Sequence, residues 1–251
     1  MAYQISIQFF ADLNFFLRSE QRERPFLTLL YPPVTIKHII ESLGVPHTEV
    51  EAIVCNGRSI PFTYLAQPDD SFVIYPPSTL PNGIPIVPLR EQLTDNPRFI
   101  LDNHLGKLAR YLRLLGFDTL YPRDHLPDAK LAQMAHDQQR VMLTRDRGLL
   151  MRNIISHGYC LQTKDGVEQL TAVLRRYQLH GEIRPWTRCL RCNGFLQTVP
   201  KTQIIDRLQP KTKRTFNEFQ ICIDCEQIYW KGSHFEALES LVGLAQAANV
   251  S

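Results

Sequence analysis

The chain has 251 residues, of which 44% are hydrophobic and 21% charged, and a formal net charge of +3. That length allows one to three domains with a real core. No uncharged run of about 18 apolar residues occurs, which excludes a membrane-spanning helix. The start, MAYQISIQFFADLNFFLRSE, has no basic residue ahead of its apolar run, and Asp12 interrupts that run, so no signal peptide is expected.

The small net charge conceals an asymmetry. Residues 1–97 carry −4, 98–183 carry +4, 184–234 carry +5 and 235–251 carry −2. A polyanion is therefore expected on the middle and later chain. Four of the six cysteines form two CxxC pairs, a pattern of metal binding in a reducing compartment, and a cytoplasmic location is expected. Cys55 and Cys160 stand alone in apolar runs and read as core residues.

From the start of the chain, YQISIQF (3–9) alternates apolar and polar residues as a half-buried strand does, and FLTLLY (26–31) can pair with it. In TIKHIIESLG, Ile36, Ile39, Ile40 and Leu43 form one helical stripe, with Gly44 as the stop. VEAIVCNGRSIPF turns at Asn56-Gly57, and SFVIYPP follows the turn at Asp69-Asp70. Strand, strand, helix, strand, strand is the order of a β-grasp domain. Residues 76–97 then hold six prolines, Pro76, Pro77, Pro81, Pro85, Pro88 and Pro97, which suits an extended linker.

From residue 98 the pattern alternates between β and α. FIL is a strand, HLGKLARYLRLLG a helix, FDTLY a strand and DAKLAQMAHDQ a helix. RVMLT and GYCLQT are further strands, and DGVEQLTAVLRRYQL is a closing helix. In the first helix Leu105, Leu108, Leu112 and Leu115 form the apolar stripe, with Lys107, Arg110 and Arg113 off it and Gly116 at C′. This alternation implies a small parallel sheet with helices on both faces.

Asp102 ends FIL, Asp146 follows VMLT after Arg145, and Asp128 opens the helix between them. Open α/β sheets place their sites at the carboxyl ends of strands. Several carboxylates together can hold divalent ions for phosphodiester chemistry, which requires hard oxygen ligands. The same residues also precede helical patterns, where aspartate is a favoured N-cap. Asp165-Gly166-Val167-Glu168 has capping-box spacing, so Asp165 ranks first as a cap and second as a metal ligand. Arg145 and Arg147 flank Asp146 and suit phosphate contact, as do Asn103 and Lys107 beside Asp102; solvated surface charge is the alternative.

Cys189-Leu190-Arg191-Cys192 and Cys222-Ile223-Asp224-Cys225 enclose 29 residues. Four thiolates in two knuckles match tetrahedral Zn²⁺, and a closed Cys₄ set is structural rather than catalytic. The surrounding lysines and arginines, with Tyr229 and Trp230, have the composition of a nucleic-acid surface; packing of the ribbon is the more common use of such aromatics. A final helix carries Leu238, Leu241, Val242 and Ala245 on one stripe.

Two resemblances follow from these motifs. Val54-Cys55-Asn56-Gly57 and Asp70-Ser71-Phe72-Val73-Ile74-Tyr75-Pro76-Pro77 resemble the turn and last strand of the ubiquitin-like sulfur carriers. Carrier chemistry needs a free terminal Gly-Gly, which this chain lacks, so a binding or docking role is expected instead. FILDNHLGKLARYLRLLGFDTLY, MLTRDRGLL, RCLRCNG and ICIDCEQIYWKGSHF resemble the Mut-seven C-terminal ribonuclease family, regarded as a PIN-type nuclease fold carrying a zinc ribbon.

The resemblance implies an α/β fold with a ubiquitin-like domain at 1–77, a linker at 78–97 and a PIN-like domain at 98–183. A zinc ribbon would follow at 184–234, and a helix at 235–251 would pack back on the nuclease. Asp102, Asp128 and Asp146 match the family's acidic positions, with Asp165 or Asp124 as a fourth acid. The function implied is hydrolysis of RNA with Mg²⁺ or Mn²⁺: Asp102 and Asp146 hold the ion, and Asp128 completes the site or orients water. Structural Zn²⁺ and a protein partner for the ubiquitin-like domain are also expected. The alternative is a non-catalytic RNA-binding adaptor.

Overall fold

The computed structural model describes residues 2–31, 33–122, 126–232 and 235–247. The chain gathers into two compact units that interleave in sequence. The first comprises residues 1–93 with 126–160, and the second comprises 94–125 with 161–251.

In the first unit, β1 (Tyr3–Phe9), β2 (Phe26–Leu30), α1 (Ile36–Ser42), β3 (Ala52–Cys55), β4 (Arg58–Ser59) and β5 (Ser71–Tyr75) build a mixed sheet of order β2-β1-β5-β3-β4. β1 pairs parallel with β5 and antiparallel with β2, as a β-grasp fold requires. The period-2 pattern sends Ile5, Ile7 and Phe9 of β1 inward, where they meet Phe72 and Ile74 of β5 and the Ile36, Ile39 and Ile40 stripe of α1; each is at most 1% exposed. Asn56 and Gly57 both take positive φ, the conformation that a two-residue hairpin turn needs. Asp70 fixes this turn from below. Only 4% exposed, it accepts hydrogen bonds from Asn56 Nδ2 at 2.8 Å, Gln67 N at 2.8 Å and the Tyr64 hydroxyl at 3.1 Å.

The proline-rich segment has no regular secondary structure, yet it is tied to this sheet. Val87 N donates to Ser59 Oγ at 3.0 Å, and Arg90 donates to the carbonyls of Thr48 and Val50.

The same unit contains α3 (Asp128–Asp137), β8 (Val141–Thr144), α4 (Arg147–Leu150) and β9 (Gly158–Cys160), with β8 and β9 paired in parallel. A short 3-10 turn at His47–Glu49 packs against β9. Glu49 and His47 are buried there, 3% and 6% exposed, and both are hydrogen-bonded. The Glu49 carboxylate accepts from Cys160 N at 2.6 Å, and the His47 ring bridges Glu41 Oε1 and the Ile155 carbonyl, both at 2.8 Å. Lys37 adds a 2.8 Å bond to Asn153 Oδ1.

In the second unit, β6 (Phe99–Leu101) and β7 (Thr119–Leu120) form a parallel pair joined by α2 (Gly106–Leu114), against which α5 (Gly166–Arg176) packs. The expected leucine stripe of α2 is buried, and Gly116 ends the helix at φ +95°. A Cβ there would lie 2.3 Å from the Arg184 carbonyl oxygen, so only glycine fits. Arg113 departs from expectation: placed off the stripe, it is 4% exposed.

The ribbon consists of β10 (Leu196–Thr198), β11 (Gln220–Cys222) and β12 (Ile228–Tyr229), an antiparallel sheet in that order. Between β10 and β11 lie α6 (Lys201–Ile204) and α7 (Pro210–Thr215), which the sequence patterns did not reveal. They close a small core of Val199, Ile204, Leu208, Phe219 and Ile228. Finally α8 (Phe235–Ala247) buries Leu241, Val242 and Ala245. Among the described residues no helix is long and apolar enough to cross a membrane.

Candidate functional site

Asp102 is the first residue beyond β6 and is half-buried; its Oδ1 accepts from Asn103 N. Asp146 lies two residues beyond β8 and is exposed. It caps α4, its Oδ1 accepting from Gly148 N at 2.7 Å. Asp128 is exposed at the first position of α3, where Pro127 occupies the cap and no side chain caps the helix. Asp165 caps α5 through Val167 N at 2.8 Å and Glu168 N at 3.1 Å, and these backbone bonds hold its carboxyl below the usual range, with a smaller contribution from Lys107. The return bond of a capping box is absent. Asp165 N donates instead to Thr163 Oγ1 at 3.1 Å, and Glu168 bonds that same hydroxyl.

Asp102, Asn103, Lys107 and Asp165 belong to the second unit, and Asp128, Arg145, Asp146 and Arg147 to the first. Asp124 lies outside the described residues. A cap bond does not exhaust a carboxylate, which offers about four lone-pair positions on two oxygens. Capping at Asp146 uses Oδ1 and orients the group; it does not preclude binding a cation.

Arg145 and Arg147 differ in setting. Arg145 is exposed, whereas Arg147 is half-buried. The Arg147 guanidinium donates to the Phe16 carbonyl at 3.2 Å and lies 5.1 Å and 4.9 Å from the Phe15 and Phe16 ring centroids. Such cation–π stacking on two rings occupies the group within the ubiquitin-like part of its own unit. Sequence reasoning found no signal for this clamp, because the partners lie 131 positions apart.

The two cysteines outside the CxxC pairs are buried. Burial, then the nearby Asp70 carboxylate, pushes Cys55 up to about 12, and burial with Glu49 does the same to Cys160.

The remaining four cysteines converge. Their sulfurs all lie within 4.8 Å of one another, with Cys189–Cys225 at 3.6 Å and Cys192–Cys222 at 3.4 Å. Tetrahedral Zn–S bonds of about 2.3 Å place sulfurs about 3.8 Å apart, so the set fits Zn²⁺. Each knuckle has the same backbone design. Asn193 N returns to the Cys189 carbonyl at 2.9 Å and Glu226 N to that of Cys222 at 3.0 Å, and both donors take positive φ. Burial works against ionisation of Cys189, but bonds from the Tyr229 hydroxyl at 3.1 Å and from backbone amides of Cys192 and Arg191 outweigh it and bring the thiol down to about 7. At Cys192, pushed up to about 12, and at Cys225, also raised, burial prevails, so these three thiols do not ionise alike; the thiolate is the form that binds a metal.

Arg113 explains how the first knuckle is held. From α2 its guanidinium donates to the carbonyls of Thr119 at 2.9 Å, Leu190 at 3.2 Å and Arg191 at 3.1 Å. Asn193 completes the junction, bonding Thr119 N at 2.9 Å and Asp118 Oδ1 at 3.0 Å.

Comparison with known families matches this architecture in order. The Mut7-C ubiquitin model covers residues 2–80 and the Mut7-C RNAse domain model covers residues 97–242. No curated protein and no solved structure gives a significant match. With a ribonuclease-type model spanning more than half of its length, behind a ubiquitin-like domain, the chain belongs to the Mut7-C RNase family.

Proposed function

We propose that this protein is a divalent-metal-dependent ribonuclease that hydrolyses RNA phosphodiester bonds. The observation that carries this reading is the family match over residues 97–242, a segment in which Asp102 and Asp146 each follow the carboxyl end of a parallel strand. Carboxylates are hard donors suited to Mg²⁺ or Mn²⁺. Asp102 and Asp146 would hold the ion and Asp128 would complete the set or orient water, with Asp165 as a candidate fourth acid. When bound, the ion supplies charge stabilisation on the phosphoryl group and an activated water. Arg145 beside Asp146, and Asn103 and Lys107 beside Asp102, would bind phosphate oxygens and align the strand. Cys189, Cys192, Cys222 and Cys225 would hold a Zn²⁺ that stabilises the ribbon and stays outside the chemistry. The ubiquitin-like domain would also offer a surface to a protein partner.

The second reading, a non-catalytic RNA-binding adaptor, is favoured by the cap role of Asp146. Labelled RNA incubated with the full chain and added Mn²⁺ separates the two. Asp102→Asn and Asp146→Asn are expected to lower cleavage by at least about a hundredfold, a loss of roughly 3 kcal/mol of transition-state stabilisation, with RNA binding retained. Equal cleavage by wild type and both variants would sink the assignment.

A further inference from the structure

A groove of about 980 Å³ opens on the ribbon, with the β12 side on one wall and α8 on the other. Its lining is aromatic. Trp186 stacks on Phe235, the ring centroids 4.8 Å apart and the planes at 20°, which makes a flat apolar wall. Trp230 also lines it and is 39% exposed, although the Phe219 ring packs 6.5 Å from its own. Indoles are normally buried for their large apolar area, and the neighbouring Tyr229 is already engaged at Cys189.

Charges of both signs surround the groove. Arg110 and Lys231 line it, as do Glu218 and Glu239, so the floor has no strong field of its own. Lys231 lies 5.8 Å over the Phe235 ring, and its bond to Glu218 at 3.4 Å joins two exposed groups, a pairing too weak to withhold it from a phosphate. Trp230 also lines a second hollow of about 290 Å³ that holds Arg191 and Arg207, the latter paired with Glu226 at 3.3 Å. The segment 184–234 as a whole carries nine Lys or Arg against four Asp or Glu. A stacking surface with cations at its margins is the design of single-strand recognition, whereas a duplex hides its base faces.

Of α2, Arg110 lines the groove. Lys107 and Arg110 are both exposed and stand one turn apart on α2, which begins just after Asp102.

We propose that this groove binds single-stranded RNA, stacking an unpaired base on Trp230 while Arg110 and Lys231 contact the flanking phosphates. The inference rests on the ribonuclease reading for its choice of polymer, and its test is separable from that reading. The full chain, without added Mg²⁺ or Mn²⁺, is titrated with a labelled oligouridylate while tryptophan fluorescence and anisotropy are recorded. Wild type should bind with quenching. Trp230→Ala should lose about tenfold in affinity with its zinc content unchanged, and Trp230→Phe should recover most of it. A duplex of mixed sequence should bind more weakly than either of its strands. Unchanged affinity in Trp230→Ala, or equal binding of duplex and single strand, would overturn the proposal and leave the groove to a protein segment. Should Trp230→Ala lose zinc, Arg110→Ala on the exposed side of α2 takes its place, with a loss of affinity expected and no loss overturning the proposal. Failure of the ribonuclease reading would look different: binding and quenching intact, no cleavage once Mn²⁺ is added.

Discussion

Asp146 spends one carboxylate oxygen on the Gly148 amide, and Asp165 spends one on two amides at the start of α5. Aspartates before helical patterns are legible in sequence as caps, and both caps formed. Local pattern does not distinguish a cap from a ligand, because the same strand-to-helix turn serves both. Arg113 shows the opposite limit. Periodicity placed it on the outer side of α2, but burial of a guanidinium depends on three carbonyls contributed by later chain, and no spacing rule encodes them.

His157 is equally unreadable from sequence, and it makes a pH prediction. Burial first, then the Arg90 charge, lowers its pKa to about 4 from the usual 6.5, against a smaller opposing bond at the Glu91 backbone. Between those values the unfolded chain takes up a proton that the folded chain refuses. Stability therefore falls as pH drops from about 6.5 to about 4 and loses no more to this residue below that. Thermal melts across that range should show the decline, and His157→Gln should flatten it.

At the scale of elements, the hairpin of β3 and β4 was readable because Asn-Gly is a strong turn signal and Asp70 stands fourteen residues on from Asn56 to receive its side chain. The four zinc-type cysteines were readable from spacing alone. The helices α6 and α7 were not, since four and six residues are too few to show a period, and packing of Ile204 and of the flanking Leu208 and Phe216 holds them. The junction of α2 with the first knuckle yields a prediction. Arg113→Lys keeps the charge but lacks the planar fork that reaches three carbonyls, leaving buried acceptors unsatisfied. It should cost about 2–3 kcal/mol and speed the release of zinc to a chromogenic chelator, whereas Arg110→Lys should do neither.

For the whole molecule, the ubiquitin-like domain and residues 126–160 share one compact unit. Glu49, His47, Lys37 and Phe16 all reach into the later segment. Alternation of hydrophobic residues made both folds legible, but not this union, which rests on a few polar side chains distant in sequence. The bond between Glu49 and Cys160 N has a consequence for any attempt to produce the nuclease segment by itself. β9 stands last in its sheet, and Glu49 satisfies an amide on its outward margin. A chain starting at residue 97 would expose that margin together with the apolar Ile155 and Cys160, forming an open template for strand addition by other molecules. Such a fragment should self-associate at concentrations where the full chain stays dispersed, as light scattering would show. Glu49→Gln, which preserves an acceptor, should stay dispersed, while Glu49→Leu should move the intact protein towards the fragment's behaviour.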